Sequence, residues 1–142
     1  MTNEHDLGPA ILVIDDEPTI RKSVGRLLER AGYRVRTAGT GEEALALVRS
    51  EHFDAAICDL HIPGVNAVRL CEQIWLAAPD LAGHLIVASG DLSGDGVDQL
   101  VERSRVPPVS KPFTAADLLE AVGAICPVPL AAGPAQSRKV AS

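Results

Sequence analysis

The chain has 142 residues, of which 46% are hydrophobic and only 3% aromatic, and its formal net charge is −6. This length suits one domain that buries roughly two-thirds of its unfolded surface, and the lack of a Lys- and Arg-rich stretch argues against a nucleic-acid partner. No stretch approaches the ~18 to 20 apolar residues of a membrane span, and no signal-peptide pattern opens the chain. We therefore expect no membrane partner and a cytoplasmic location.

Apolar periodicity predicts five strands that alternate with five helices. Pro18 suits the first turn of the first helix and Gly32 its end, while the period-two pattern of the second strand predicts an edge strand. Thr114 is expected to cap the last helix, and two prolines interrupt the fifth strand. The predicted strands are 10–14, 33–38, 53–58, 85–88 and 106–110, and the predicted helices are 18–31, 41–50, 67–75, 97–103 and 115–125.

This alternation predicts an α/β fold. Because crossovers between parallel strands are right-handed, five such units allow a doubly wound, flavodoxin-like sheet of five parallel strands in the order 2-1-3-4-5, with five helices. The topological switch point then lies between strands 1 and 3, where ligands bind in such folds. We expect a flexible lead over residues 1–9, one domain over 10–126, and a flexible tail rich in Pro and Ala over 127–142.

Three cysteines, Cys58, Cys71 and Cys126, are an odd number without metal-type spacing. They are expected to be buried free thiols.

Polar residues stand where apolar strands stop: Asp15 and Asp16, Asp59, Ser89 and Lys111. Carboxyl ends of parallel strands share one edge, so these side chains should converge. Three carboxylates suit Mg²⁺, which prefers oxygen ligands, and the metal would relieve their mutual repulsion and leave Asp59 to attack phosphorus as a nucleophile. Lys111 and Ser89 would contact the phosphoryl oxygens. The pattern predicts a magnesium-assisted phosphoryl-acceptor site.

Other interpretations fit parts of this pattern. Paired acids are common at a helix N-terminus, and an isolated serine or lysine is usually a turn or surface residue. The Asp59-x-His61-x-x-Gly64 spacing also resembles cobalamin-binding domains, but their later signals are absent. A phosphohydrolase of the haloacid dehalogenase type would need an aspartate where Glu17 stands.

Taken together, the motifs resemble the response-regulator receiver domain of two-component signalling, in the short form similar to receivers that accompany sensor kinases. The resemblance covers about residues 10–126, with matching segments at 11–17, 59–60, 63–64, 89–90 and 111–113. It implies a phosphoacceptor signalling domain rather than an enzyme, with self-catalysed phosphotransfer and autodephosphorylation.

The resemblance also assigns roles to residues. Asp59 would accept phosphate from a histidine kinase or phosphotransfer protein, Ser89 would be the switch hydroxyl, and Lys111 the phosphate partner. Mg²⁺ would be held by Asp15, Asp16, Asp59 and the backbone carbonyl of His61. The family pattern further implies a cis peptide bond between Lys111 and Pro112.

One departure from the family concerns Pro108, which stands where an aromatic switch residue is usual. Because proline cannot swing between rotamers, we expect the surrounding surface to change little on phosphorylation.

His61 and Asp91 are candidate modulators of the phosphoryl lifetime. We interpret the chain as a single-domain response regulator that switches a protein partner, as a monomer or homodimer. The alternatives are a phosphate sink or relay, or a protein-binding module that does not depend on phosphorylation.

Overall fold

A computed structural model describes residues 8–62, 66–90 and 96–128. In chain order the elements are β1 (Ala10–Ile14), α1 (Pro18–Arg30), β2 (Arg34–Ala38), α2 (Gly41–Ser50), β3 (Ala55–Asp59), α3 (Ala67–Ala77), a single 3-10 turn (Pro79–Leu81), β4 (Leu85–Ser89), α4 (Val97–Ser104), β5 (Val109–Ser110) and α5 (Ala115–Ile125). Over these ranges, every helix is too short or too polar to cross a bilayer.

The five strands form one parallel sheet in the order β2-β1-β3-β4-β5. The predicted fold is confirmed, and β2 lies at an edge as expected. The chain leaves β1 toward β2 on one side and later returns to place β3 on the other side. The ends of β1 and β3 therefore flank the switch point, where this class of sheet binds its ligands.

The sheet is covered on both faces, which explains the continuous apolar runs of its inner strands. Every residue of β1, β3 and β4 is buried. Leu12 and Ile14 pack into one core with side chains of α2, α3 and α4, whereas Ile11 and Val13 pack into the other with α1 and α5. Because successive side chains alternate between faces, two packed layers hold each strand in register and fix the residues at its carboxyl end.

The fifth strand is shorter than predicted. The apolar run over 106–110 predicts five residues, but only Val109 and Ser110 pair with β4. Pro107 and Pro108 lack the N–H that a strand ladder needs. Parallel pairing therefore begins only after them.

Three other strands differ from prediction at their ends: β3 and β4 each extend one residue further, to Asp59 and Ser89, and β2 and β3 begin later than expected. Tyr33 belongs to the turn that ends α1 rather than to β2, because its N–H donates to the carbonyl of Leu28, 3.1 Å away. The third strand begins at Ala55 instead of residue 53. There the carboxylate Oδ2 of Asp54 accepts the N–H of Ala10 at 2.8 Å, in place of a backbone carbonyl.

The last helix begins as predicted, with Thr114 and Asp117 forming a reciprocal capping box. Several predictions lie outside the described residues: the role of Asp91, the Pro63-Gly64 part of the resemblance, the lead as far as residue 7, and the tail from residue 129. The expected domain boundaries stay predictions.

Candidate functional site

Four strand ends deliver the polar residues to one edge of the sheet. Asp15 follows β1, Asp59 is the last residue of β3, Ser89 is the last residue of β4, and Lys111 follows β5. The carboxylates of Asp15, Asp16 and Asp59 each offer an oxygen within 4.8 Å of the others. The structure therefore brings together the residues that the sequence singled out.

Asp15 is held at all of its polar groups. Its carboxylate Oδ1 accepts the N–H of Glu17 at 2.9 Å, and Oδ2 accepts from Lys111 Nζ at 2.9 Å. Its own N–H donates to the carbonyl of Ala38 at 3.1 Å, and its carbonyl accepts from Arg21 Nη1 at 2.8 Å. Because Asp15 is only 5% exposed, these bonds replace the water that a surface aspartate would use.

Lys111 bridges two of the carboxylates. Its Nζ lies 2.9 Å from Asp15 Oδ2 and 3.2 Å from Asp59 Oδ2, and its side chain is 20% exposed. Burial by itself lowers the pKa of Lys111, but the hydrogen bond to Asp15 and the charges of Asp59 and Asp15 outweigh burial, so the pKa lies above its ordinary value. The site thus holds a permanent cation at neutral pH.

Asp59 is linked through His61 to Ser89. The N–H of His61 donates to Asp59 Oδ1 at 3.0 Å, and the His61 ring nitrogen Nε2 lies 3.2 Å from Ser89 Oγ. Ser89 is fully buried, and its carbonyl accepts the N–H of Lys111 at 2.8 Å. His61 therefore contacts Asp59 through its backbone N–H and Ser89 through its ring.

The donor set fits a hard divalent cation. Its three carboxylates are oxygen donors, and Asp16 is more open to solvent than Asp15 or Asp59. Magnesium usually takes one or two carboxylates and keeps several waters, so three carboxylate side chains suffice as its protein ligands. Asp15, Asp16 and Asp59 are thus the residues that could hold Mg²⁺.

The neighbouring thiol does not compete with Asp59 as a nucleophile. All three cysteines are free and buried, as expected. A hydrogen bond with Cys71 raises the pKa of the Cys58 thiol well above its ordinary value, and burial and the charge of Asp59 add to this shift. Because only a thiolate is strongly nucleophilic, Cys58 is an inert core residue.

The expected cis peptide bond between Lys111 and Pro112 is confirmed. Pro108 is partly buried and lines a groove between β5 and α5, away from the carboxylates.

A second, largely apolar cleft of about 410 Å³ lies beside Lys111 and includes Ile20 of α1 and Phe113. The cleft lies between α1 and residues 111–113, and it adjoins the candidate site through Lys111.

Sequence reasoning missed the contact between Arg21 and the carbonyl of Asp15. The available signal was weak: a basic residue one helical turn after the start of α1, on a helix that begins beside the acidic pair. Only the path of the chain shows that this side chain turns back toward the end of β1.

Comparisons with known proteins agree on one family. Residues 11–123 match the family model described as the response regulator receiver domain. A curated relative, the sensory/regulatory protein RpfC of Xanthomonas campestris pv. campestris, is 30% identical over 112 residues, which cover 78% of this chain and 15% of RpfC. The chain thus corresponds to a small part of that relative.

Two solved structures are similar. A response regulator protein from Burkholderia pseudomallei, solved with a phosphorylated aspartic acid, a calcium ion and citrate, is 30% identical, with a TM-score of 0.71 over 80% of this chain and 66% of that one. The response regulator protein TrrA from Thermotoga maritima, in complex with Mg(2+)-BeF, is 29% identical, with a TM-score of 0.70 over 82% of this chain and 98% of that one.

Proposed function

Because this chain belongs to the response regulator receiver domains, a family of phosphoacceptor signalling modules that bind Mg²⁺ at an acidic cluster, we propose that it accepts a phosphoryl group on Asp59 and then acts as a switch on a protein partner. The observation that carries the proposal is the position of Lys111. Its ammonium lies 3.2 Å from Asp59 and 2.9 Å from Asp15, beside a third carboxylate.

The proposed donor is a phosphohistidine of a histidine kinase or phosphotransfer protein. An oxygen of Asp59 attacks the phosphorus, the new O–P bond forms as the P–N bond breaks, and the donor imidazole leaves with the bonding electrons. Lys111 is placed to stabilise the charge that spreads over the phosphoryl oxygens. Mg²⁺, held by Asp15, Asp16, Asp59 and the His61 carbonyl, would supply further charge neutralisation on those oxygens.

Loss of the phosphoryl group needs a water molecule that attacks the phosphorus of the acyl phosphate and releases inorganic phosphate. His61 and Asp91 are proposed to modulate this step. The contact of the His61 ring with Ser89 Oγ supports a role for His61, because it holds the ring on the Asp59 side of the sheet edge. For Asp91, the support for this role is its position in the sequence, two residues after Ser89.

The apolar cleft beside Lys111 is proposed to receive the donor protein. Asp59 is only 5% exposed. A macromolecular donor must therefore bring its phosphohistidine to the carboxyl ends of the strands, where Asp59 lies. Ile20 and Phe113 offer apolar surface next to that entry. We further propose residues 10–126 as the functional domain, working in the cytoplasm as a monomer or homodimer.

The proposal is tested with a small phosphodonor. We expect acetyl phosphate with Mg²⁺ to add one phosphoryl group to the protein, seen by intact mass spectrometry, and peptide mapping to locate it on Asp59. Chelation of Mg²⁺ with EDTA should abolish the gain, since the clustered carboxylates then repel the anionic donor. Labelling that proceeds equally well in EDTA would contradict the proposed role of the metal.

Pro108 favours a second candidate, a phosphate sink or relay whose phosphorylation drives little change at β5. The proline ring cannot follow the movement of a hydroxyl at Ser89. In addition, Arg103 on α4 pairs with Glu72 at 2.6 Å and lies 5.4 Å from the ring centre of Trp75, which fastens α4 to α3. The proline opposes a rearrangement of this face, and the exposed Arg103–Glu72 pair adds at most a small contribution.

For this reason we expect beryllofluoride with Mg²⁺ to shift NMR signals around Asp59 while leaving residues 103–110 nearly unchanged. The variant Pro108→Tyr is the matched comparison, and there the shifts should spread into this segment. Large shifts throughout residues 103–110 of the unmodified chain would refute the prediction. If no surface outside the pocket responds, the sink is favoured over the switch.

A further inference from the structure

Among the residues that the structure describes, the donor to the carbonyl of Asp15 is a long, flexible side chain, that of Arg21. The Asp15 N–H is paired within the sheet edge, and its carboxylate contacts a backbone N–H and the Lys111 ammonium. The carbonyl accepts from Arg21 Nη1 at 2.8 Å. Without that donor, a carbonyl on a residue only 5% exposed would lack its protein partner.

A second observation shows how the guanidinium is kept in place. A Cβ atom at Gly39, directly after β2, would lie 2.6 Å from Arg21 Nη1. The guanidinium therefore occupies the space that a side chain at position 39 would take. The N–H of Gly39 is itself held by Glu43 Oε1 at 2.8 Å. The Arg21 guanidinium thus lies between two loops, the one after β1 that contains Asp15 and the one after β2 that contains Gly39.

We propose that Arg21 is a positioning residue of the metal site: by holding the Asp15 carbonyl it fixes the direction of the Asp15 and Asp16 carboxylates, and Gly39 leaves it room. This inference rests on the proposed function, because it concerns the affinity of the same site for Mg²⁺. Arg21 would act through Asp15, since its hydrogen bond is to the Asp15 carbonyl.

The positive charge of Arg21 and its positioning role predict opposite effects of its removal on Mg²⁺ affinity. If its positive charge were all that mattered, removing it would strengthen Mg²⁺ binding, since two cations near one another repel. If Arg21 positions the carboxylates, removing it weakens binding. Outer partners that orient metal ligands typically contribute 10–100-fold to metal affinity, so we expect Arg21→Met to raise the dissociation constant for Mg²⁺ about tenfold.

Gly39→Ala provides an independent variant that keeps the charge. The backbone at Gly39 does not require a positive φ, and the atom in the way is the far end of a flexible side chain, so the variant is expected to fold. The alanine methyl group should displace the guanidinium and weaken Mg²⁺ binding in the same direction. Because both changes act through one contact, Arg21→Met and Gly39→Ala together should be no worse than Arg21→Met alone.

The experiment is an NMR titration of the whole chain with MgCl₂, which gives the dissociation constant and reports folding in the same spectra. Lys22→Met is the matched control, since it removes one charge from the exposed neighbouring position of α1, and its binding should be equal to or slightly tighter than that of the original chain. Binding by Arg21→Met that equals or exceeds that of the original chain would overturn the inference. So would fully additive effects in the double variant.

Failure of the proposed function gives a different result. If the unmodified chain itself does not bind Mg²⁺, the site assignment fails. If the unmodified chain binds Mg²⁺ and the two variants bind it equally well, only the role of Arg21 fails. Should Arg21→Met unfold, Gly39→Ala decides alone, with weaker binding supporting the inference and unchanged binding contradicting it.

Discussion

Replacement of Asp59 by asparagine is expected to abolish uptake of a phosphoryl group from acetyl phosphate or from a phosphohistidine. The amide has no anionic oxygen to attack phosphorus, so the effect should be a complete loss rather than a reduced rate. The amide would keep an oxygen that can accept the N–H of His61, a bond now 3.0 Å long, so the fold should survive. Intact mass spectrometry and beryllofluoride binding by NMR measure the loss.

Asp80→Asn is the matched control for Asp59→Asn. Asp80 is exposed and lies in the 3-10 turn between α3 and β4. Because this turn precedes the start of β4, it lies at the edge of the parallel sheet opposite the candidate site. The control substitution removes the same charge and should leave labelling unchanged. Incorporation that continues in Asp59→Asn at the original level would show that another residue is the acceptor, and the whole site assignment would then be wrong.

Replacement of Lys111 by methionine is expected to have the second largest effect. Fixed cationic or hydrogen-bonding partners of a transition state contribute about 10²–10³-fold in rate, so labelling of Asp59 by acetyl phosphate should slow by about that factor. Samples quenched at successive times and analysed by mass spectrometry give the rate of phosphorylation. Lys22→Met is again the control, because it removes a lysine charge from an exposed position of α1 and should leave the rate unchanged.

The same variant should be less stable without metal. Lys111 neutralises the buried carboxylates of Asp15 and Asp59, and removing one partner of a buried ion pair typically costs about 3 kcal/mol. Mg²⁺ can supply the missing charge, so it should raise the unfolding free energy of Lys111→Met more than that of the original chain. Urea unfolding with and without Mg²⁺ measures this difference, and equal stabilisation of both proteins would count against the bridging role of Lys111.

The sign of the pH dependence follows from the direction of the Lys111 pKa. Burial lowers this pKa, but the hydrogen bond to Asp15 and the charges of Asp59 and Asp15 raise it above its ordinary value of 10.5. A raised folded-state pKa means that the contribution of Lys111 to stability is fully present below pH 10.5 and is lost as pH rises through the folded-state value. The stability difference between the original chain and Lys111→Met should therefore stay constant between neutral pH and about pH 9.

Local sequence signals were sufficient for the elements that are buried on both faces. The runs at β1, β3 and β4 are apolar at nearly every position and end at a polar residue, so their existence and order could be predicted from composition and spacing. The largest difference from the predicted strands is at β5, where Val106 continues the apolar pattern but Pro107 and Pro108 lack the N–H needed for pairing. In that strand the missing N–H groups outweigh hydrophobicity, and the ladder contains only Val109 and Ser110.

The membership of the candidate site could also be predicted, because each of its residues lies at the end of a strand or within two residues after it. Their contacts could not. No pattern in the chain indicates that Lys111 bridges Asp15 and Asp59, that the His61 ring faces Ser89, or that Arg21 holds a carbonyl beside Gly39. These contacts join segments that are distant in sequence, or depend on the direction in which one long side chain turns.

The amino-acid sequence by itself determined the parallel α/β architecture, the family and the set of polar residues at the strand ends, since these depend on short-range periodicity and on the alternation of strands with helices. Only the tertiary structure decided which oxygen atom is contacted by each cationic side chain and by each N–H group. The reason is geometric: hydrogen bonds and ion pairs form within about 3 Å, a distance set by the packing of two core layers rather than by the spacing of residues along the chain.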